Sequence, residues 1–227
     1  MKPYLTINLL LIFLGSALTY YQVFSPNDQS FSQLVRHYQS RINPDSEPVK
    51  TLVVDSAAYA FWLSKTGKLH TSYGDTTNHV ILNHSGEAWS DVTFIEDFCL
   101  NSTNDSIYFT DIMDLESGQG AIKVSDRFGQ GLKTILLLPD EIPYRLMHTG
   151  NVLFYLAQQA YREASYQLRF IDLQNGSRGT LYQSSRKISG LDIDDSLELL
   201  NISDPATGQV SFATDLGTVR GLAEALR

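Results

Sequence analysis

The sequence predicts an all-β, antiparallel fold carried behind one N-terminal transmembrane helix and a short helical stalk. Three observations predict it. Short extended runs separated by turn residues fill the chain from Val49 onward. A unit of strand, strand, Asp and Gly recurs in the second half, with Gly129, Gly176 and Gly217 spaced 47 and 41 residues apart. No charged residue falls between Lys2 and Asp28.

The charge-free run is taken first. Leu5 to Phe24 spans 20 residues, and a helix of that length rises about 30 Å, enough to cross a hydrocarbon core. Tyr20 and Tyr21 sit at its far end, where amphipathic rings favour the interface. Lys2 on the near side and Asp28 on the far side place the N-terminus in the cytoplasm and the bulk of the chain outside, in a periplasmic or extracellular space. A cleaved signal peptide is the alternative, since Gly15-Ser16-Ala17 is a small-residue run. Residues 1–24 are therefore read as an anchor or signal peptide, 25–48 as stalk and linker, and 49–227 as an extracytoplasmic β domain.

In the stalk, Phe31, Leu34, Val35, Tyr38 and Ile42 form one stripe at helical spacing. Asn43-Pro44-Asp45-Ser46-Glu47-Pro48 ends that helix. The strands predicted after it are 50–54, 59–64, 68–73, 79–82, 92–98, 106–110, 121–125, 133–138, 144–147, 152–157, 166–173, 180–183, 190–193, 197–202 and 209–214, with a last short one at 218–221. Many short strands with almost no helix between them indicate antiparallel sheets.

Composition narrows the function. The net charge is −8 and the pI about 5.0. Such a surface repels phosphate backbones, so nucleic acid is not an expected partner. Cys99 is the single cysteine, which excludes an internal disulfide. It reads as a small buried hydrophobe in Phe98-Cys99-Leu100. Five Asn-x-Ser/Thr triplets begin at Asn83, Asn101, Asn104, Asn175 and Asn201. They are glycan acceptors in a eukaryotic secretory protein and ordinary turn residues in a bacterial periplasm.

The repeat compares Ala121-Ile-Lys-Val-Ser-Asp-Arg-Phe-Gly129 with Gln167-Leu-Arg-Phe-Ile-Asp-Leu-Gln-Asn-Gly176 and Gln209-Val-Ser-Phe-Ala-Thr-Asp-Leu-Gly217. Ahead of each lies a second strand: Ile107–Asp111, Val152–Leu156 and Leu197–Asn201. A repeat of this length holding about four strands is the mark of a propeller blade. Residues 49–91 do not show the same phase. The array is expected to be a small or incomplete β-propeller, with a β-sandwich or barrel as the alternatives.

Ile107-Tyr108-Phe109-Thr110-Asp111, followed by Ala121–Ser125 and Gly131–Leu136, resembles a YWTD-type blade. The later repeats resemble TolB-like propellers, including those in periplasmic portions of CadC-like membrane regulators. The layout of short tip, anchor and small β domain resembles the helper subunits of ToxR-like regulators. The resemblance implies a periplasmic β-propeller-like domain in a membrane-bound regulatory system.

Chemistry-bearing residues are sparse. Among His37, His70, His79, His84 and His148, only His79 and His84 lie close in sequence, too few for a metal site. Asp192-Ile-Asp-Asp-Ser-Leu-Glu198 has the look of a calcium loop, but Leu197 stands where the sharp turn needs Gly. It reads as a turn with solvated carboxylates. No nucleophile elbow, phosphate-cradling loop or His-Glu-x-x-His occurs. Trp62, Trp89, Tyr155, Tyr161 and Tyr166 are numerous enough to line a surface, though aromatics of a β domain are mostly core. Tyr161 and Arg162 sit on a predicted hairpin tip. No cofactor and no metal is expected, and no enzymatic activity.

The expected function is an extracytoplasmic domain that senses a signal or binds protein, partnering another membrane or periplasmic protein. Phe31, Leu34, Val35, Tyr38, Tyr161 and Arg162 are its expected contacts. An exported hydrolase using loop carboxylates is the alternative, and a structural envelope protein the third reading.

Overall fold

In a computed structural model of the chain, the described residues are 6–13, 17–24, 48–54, 59–73, 79–82, 92–101, 105–160, 165–194, 198–203 and 209–226. Before residue 61 and over 72–82, only the backbone is described. The chain divides into two compact units, Met1–Ile95 and Glu96–Arg227.

The first unit holds a six-stranded sheet in chain order: β1 (Thr6–Phe13), β2 (Ala17–Phe24), β3 (Pro48–Val54), β4 (Tyr59–Ser64), β5 (Leu69–Tyr73) and β6 (His79–Leu82). Neighbours run antiparallel, except that β2 meets β3 in parallel at Tyr20 and Leu52. The structure does not confirm the expected transmembrane helix: its residues form the β1–β2 hairpin, with Thr6 opposite Phe24 and Phe13 opposite Ala17. An apolar run has no period of its own, so it fits a buried strand as well as a helix. Thr19, Tyr20, Tyr21, Val23 and Phe24 are strand formers, and Gly15-Ser16 falls between the two halves. Among the described residues no helix is long and apolar enough to cross a membrane. The stalk stripe Phe31, Leu34, Val35 and Tyr38 lies outside the described residues. On β4, Phe61, Trp62 and Leu63 are buried, and Trp62 stacks on His70 with ring centroids 5.4 Å apart.

The second unit is built of three antiparallel sheets. The first comprises β7 (Ile95–Asn101), β8 (Ser106–Asp114), β9 (Gln119–Asp126) and β10 (Lys133–Leu138). Next come β11 (Glu141–Thr149), β12 (Val152–Gln159), β13 (Tyr166–Asp172) and β14 (Arg178–Ser184). The last has three strands, β15 (Gly190–Asp194), β16 (Leu199–Ser203) and β17 (Val210–Asp215), followed by helix α1 (Leu216–Ala225). Strands β3, β7, β11 and β15 begin at residues 48, 95, 141 and 190, which are 47, 46 and 49 residues apart. Residues 48–82 therefore keep the period that the sequence did not show there. The predicted strand at 218–221 is corrected to helix, because Leu216, Val219 and Ala223 bury one face and Asp215 caps the first turn.

Burial explains why these sheets stack. On β12, Val152, Phe154 and Leu156 join a core with Leu168, Phe170, Leu191, Leu200, Ile202 and α1. The alternate residues Leu153, Tyr155 and Ala157 join a second core with Tyr108, Ile122, Leu136, Leu138 and Leu146. Successive side chains of a strand point to opposite faces. The middle sheet is therefore covered on one face by the sheet before it and on the other by the sheet after it. A sandwich buries one face of each sheet, and among the described residues no sheet closes into a barrel. The repeat is thus a stack of blade-like sheets. Two features hold the first two blades close. A Cβ on Gly120 would lie 2.3 Å from Pro143 Cδ and 2.8 Å from the Glu141 carbonyl, so only glycine lets β9 approach β11. Asp97 on β7 is 2% exposed and its Oδ2 accepts the Leu146 backbone N–H at 2.7 Å.

Candidate binding surfaces

Two places in the second unit combine exposure with order. The first is the β8–β9 turn. Asp114 Oδ1 accepts the Glu116 backbone N–H at 2.9 Å, and its Oδ2 accepts the Ser117 hydroxyl at 2.6 Å. The Ser117 bond, then the Glu116 bond, hold the Asp114 carboxyl below its usual pKa. Gly118 closes the turn at φ +67°, a conformation costly for any residue with a Cβ. Such a Cβ would also overlap the Cβ of Ala160, at 1.9 Å. The turn is fixed at both ends, yet it displays Leu115 at 70% exposure, beside exposed Met113. Leu137, also exposed, lies toward this end of the blade on β10, opposite Ala121. Asp114 and Glu116 flank Leu115 in the chain, and Asp140 lies in the turn after β10.

The second place is a cavity of 380 Å³ between the second and third blades of this unit. Tyr182 and Ser184 of β14 form one wall, Ile202, Ser203, Gln209 and Ser211 another, and Arg186 to Ser189 the connection between the blades. Behind it, the Tyr144 hydroxyl donates to the Ile188 carbonyl at 2.9 Å, and the Lys187 ammonium lies 5.2 Å from the Tyr144 ring centroid. Burial raises the Tyr144 pKa. Glu96 feels Lys187, but the larger influence is burial, which raises its pKa. Tyr182 packs on Phe212, with centroids 5.1 Å apart.

The sequence-predicted residues distribute unevenly. Tyr161 and Arg162 lie outside the described residues, although the Ala160 end of their hairpin abuts Gly118 of the Leu115 turn. Trp62 and Tyr155 are corrected to core positions, at 1% and 0% exposure, and Tyr166 is half-buried edge-on to Tyr144. Trp89 lies outside the described residues. Cys99 is half-buried and packs on the core that holds Tyr108. His148 stacks on Tyr108 at 5.2 Å. Among the described residues no group of three His, Cys, Asp or Glu could hold a metal ion. Asp192 and Asp194 are paired in strand β15, opposite Asn201 and Leu199, and residues 195–197 of that acidic run lie outside the described residues. Of the Asn-x-Ser/Thr triplets, Asn101 is buried, Asn201 is paired in the middle strand β16, and Asn175 stands exposed in the β13–β14 turn. Leu115 and the Arg186–Lys187 pair were not anticipated. Their only sequence signals are an apolar residue within Asp-x-Glu-Ser-Gly and two adjacent cations in an acidic chain.

No protein-family model matches the sequence, and neither does any curated protein. Solved structures do resemble the fold. A structure of a nidogen/laminin complex aligns with a TM-score of 0.54 at 12% identity, over 78% of this chain and 67% of that one. Sqt1 from Saccharomyces cerevisiae gives 0.43 at 12% identity, over 79% of this chain and 51% of its own. A GH74 enzyme from Niastella koreensis gives 0.42 at 12% identity, over 71% and 24%. The last two scores carry no weight. The first shows the fold alone, a propeller-like array of antiparallel sheets.

Proposed function

We propose that this chain is a protein-binding β domain without catalytic activity. The observation that supports this most is Leu115, held 70% exposed on a turn fixed by Asp114 and by the contact of Gly118 with Ala160. An apolar side chain presented by an ordered tip loses little entropy on contact, which is what an interface anchor requires. Met113, two residues before Leu115 in the chain, is also exposed, and Asp114 and Glu116 flank Leu115 with charge. Propeller-like folds bearing this kind of tip suit contact with another protein. The setting of that partner has separate support. The apolar run Leu5–Leu14 behind Lys2, read as the core of a signal peptide, supports a place outside the cytosol, with a membrane or periplasmic partner. The CadC- and ToxR-like resemblance supports a sensing role within that setting.

The test compares the full chain with its Leu115→Asp variant. Each is expressed in the native host, fractionated, and purified with its associated proteins after cross-linking. The expected result is recovery outside the cytosol, with one specific partner held by the native chain and lost from the variant. Equal recovery of that partner by both chains, with unchanged melting of the variant, would refute the Leu115 interface. Recovery of the native chain in the cytosol would refute the placement.

A further inference from the structure

We infer that the 380 Å³ cavity beside Arg186 and Lys187 binds a sugar carrying a phosphate or sulfate ester. The chain is acidic at −8, yet the ten residues lining this cavity include two cations and no carboxylate. Among the described residues no salt bridge ties up Arg186, whose backbone N–H donates to Ser184 Oγ at 3.0 Å. Lys187 is turned toward the Tyr144 ring and shares the field of Glu96, so Arg186 is the principal anchor.

The lining chemistry separates the possible anions. A planar carboxylate is satisfied by one guanidinium fork. Here hydroxyls stand on several sides as well: Tyr182, Ser184, Ser189 and Ser203. Donors arriving from many directions match a tetrahedral oxyanion with three terminal oxygens. The volume lies within the range that holds small organic ligands, of about 300–1,000 Å³. A bare phosphate leaves most of it empty. Ile188 and Ile202, 4% and 3% exposed, close the floor of the cavity, and the serine hydroxyls above them supply partners for the hydroxyls of a sugar. The site rests on residues other than the Leu115 tip, so it stands or falls separately from the protein interface.

Isothermal titration of the full chain tests this with four probes: glucose 6-phosphate, glucose 6-sulfate, inorganic phosphate and glucose. Both esters are expected to saturate, more tightly than inorganic phosphate, with glucose showing no saturation. Arg186→Ala is expected to weaken the esters about tenfold or more, and Arg186→Lys to weaken them less. The Leu115→Asp variant should bind them as the native chain does. No saturable ester binding up to about 10 mM would overturn the inference. So would equal affinity in Arg186→Ala, glucose binding as tightly as its esters, or inorganic phosphate binding as tightly as either ester.

Discussion

Replacing Asp97 by Ala tests whether neighbouring blades are tied together at their first strands. Asp97 is 2% exposed on β7 and Leu146 is 1% exposed on β11. The carboxylate accepts the Leu146 N–H at 2.7 Å, across two sheets that share no strand ladder. The Asp97 backbone is itself clamped to β8, its N–H donating to the Thr110 hydroxyl at 2.9 Å. A hydrogen bond to a charged acceptor contributes about 1.5–3 kcal/mol, and a buried N–H left without a partner costs about 1–3 kcal/mol. The two overlap, so Asp97→Ala should destabilise by about 2–4 kcal/mol. Asp97→Asn keeps an oxygen that can accept the N–H and should lose about half as much. Urea unfolding followed by circular dichroism measures both, with the slope unchanged if the denatured state is unchanged. An Asp97→Ala variant within about 0.5 kcal/mol of the native chain would refute the tie. Equal losses in Ala and Asn would show that charge, and not the acceptor oxygen, matters at this position.

Two further outcomes concern the same unit. Gly120→Ala drives a methyl into Pro143 and the Glu141 carbonyl, where backbone must move, and should cost about 2 kcal/mol or more in the same unfolding assay; an unchanged midpoint would refute the close approach. Burial lowers the His148 pKa below its ordinary 6.5, against a smaller opposing effect of a Gly150 backbone bond. The unfolded chain then binds more protons than the folded one below pH 6.5, so this residue contributes a loss of stability as pH falls through 6.5 and none above it. His148→Gln should flatten that share of the slope; an imidazole titrating at or above 6.5 by NMR would refute it.

The β architecture was legible because turn chemistry is local. Tyr59–Ser64, His79–Leu82 and Lys133–Leu138 coincide with their predicted runs to the residue. The N-terminal hairpin was not legible, because a mostly apolar run has no period that separates strand from helix. The repeat shows both outcomes in one motif. After β9, Asp126 Oδ1 accepts the N–H groups of Phe128 and Gln130, and the chain turns into β10. After β13, Asp172 accepts from Gln174 and Asn175, and the chain turns into β14. After β17, the matching Asp215 accepts the Thr218 N–H at 2.7 Å and starts a helix. An Asx turn and a helix N-cap use the same carboxylate and the same orphan N–H groups. The residues after the Asp decide between them: a connection with glycine at positive φ, Gly129 and Gly131 or Gly176, before the next strand, or Leu216, Val219 and Ala223 at helical spacing.

The binding surfaces were hidden for a different reason. The cavity wall draws on β14, the connection at 186–189, β16 and β17, which are brought together only when the third blade stacks on the second. Ser184, Ser203 and Ser211 carry no joint pattern in the sequence, because their nearness is set by Phe154, Phe170, Leu200 and Ile202 packing beneath them. Leu115 is the opposite case. Its local sequence reads as an ordinary polar turn, and only the fixed geometry of Asp114 and Gly118 shows that its exposure is ordered. In this fold, blade cores are encoded by alternation within strands, while binding groups sit where successive blades meet or turn. Substituting core residues should therefore disturb both surfaces together, whereas Leu115→Asp and Arg186→Ala should each weaken one and spare the other.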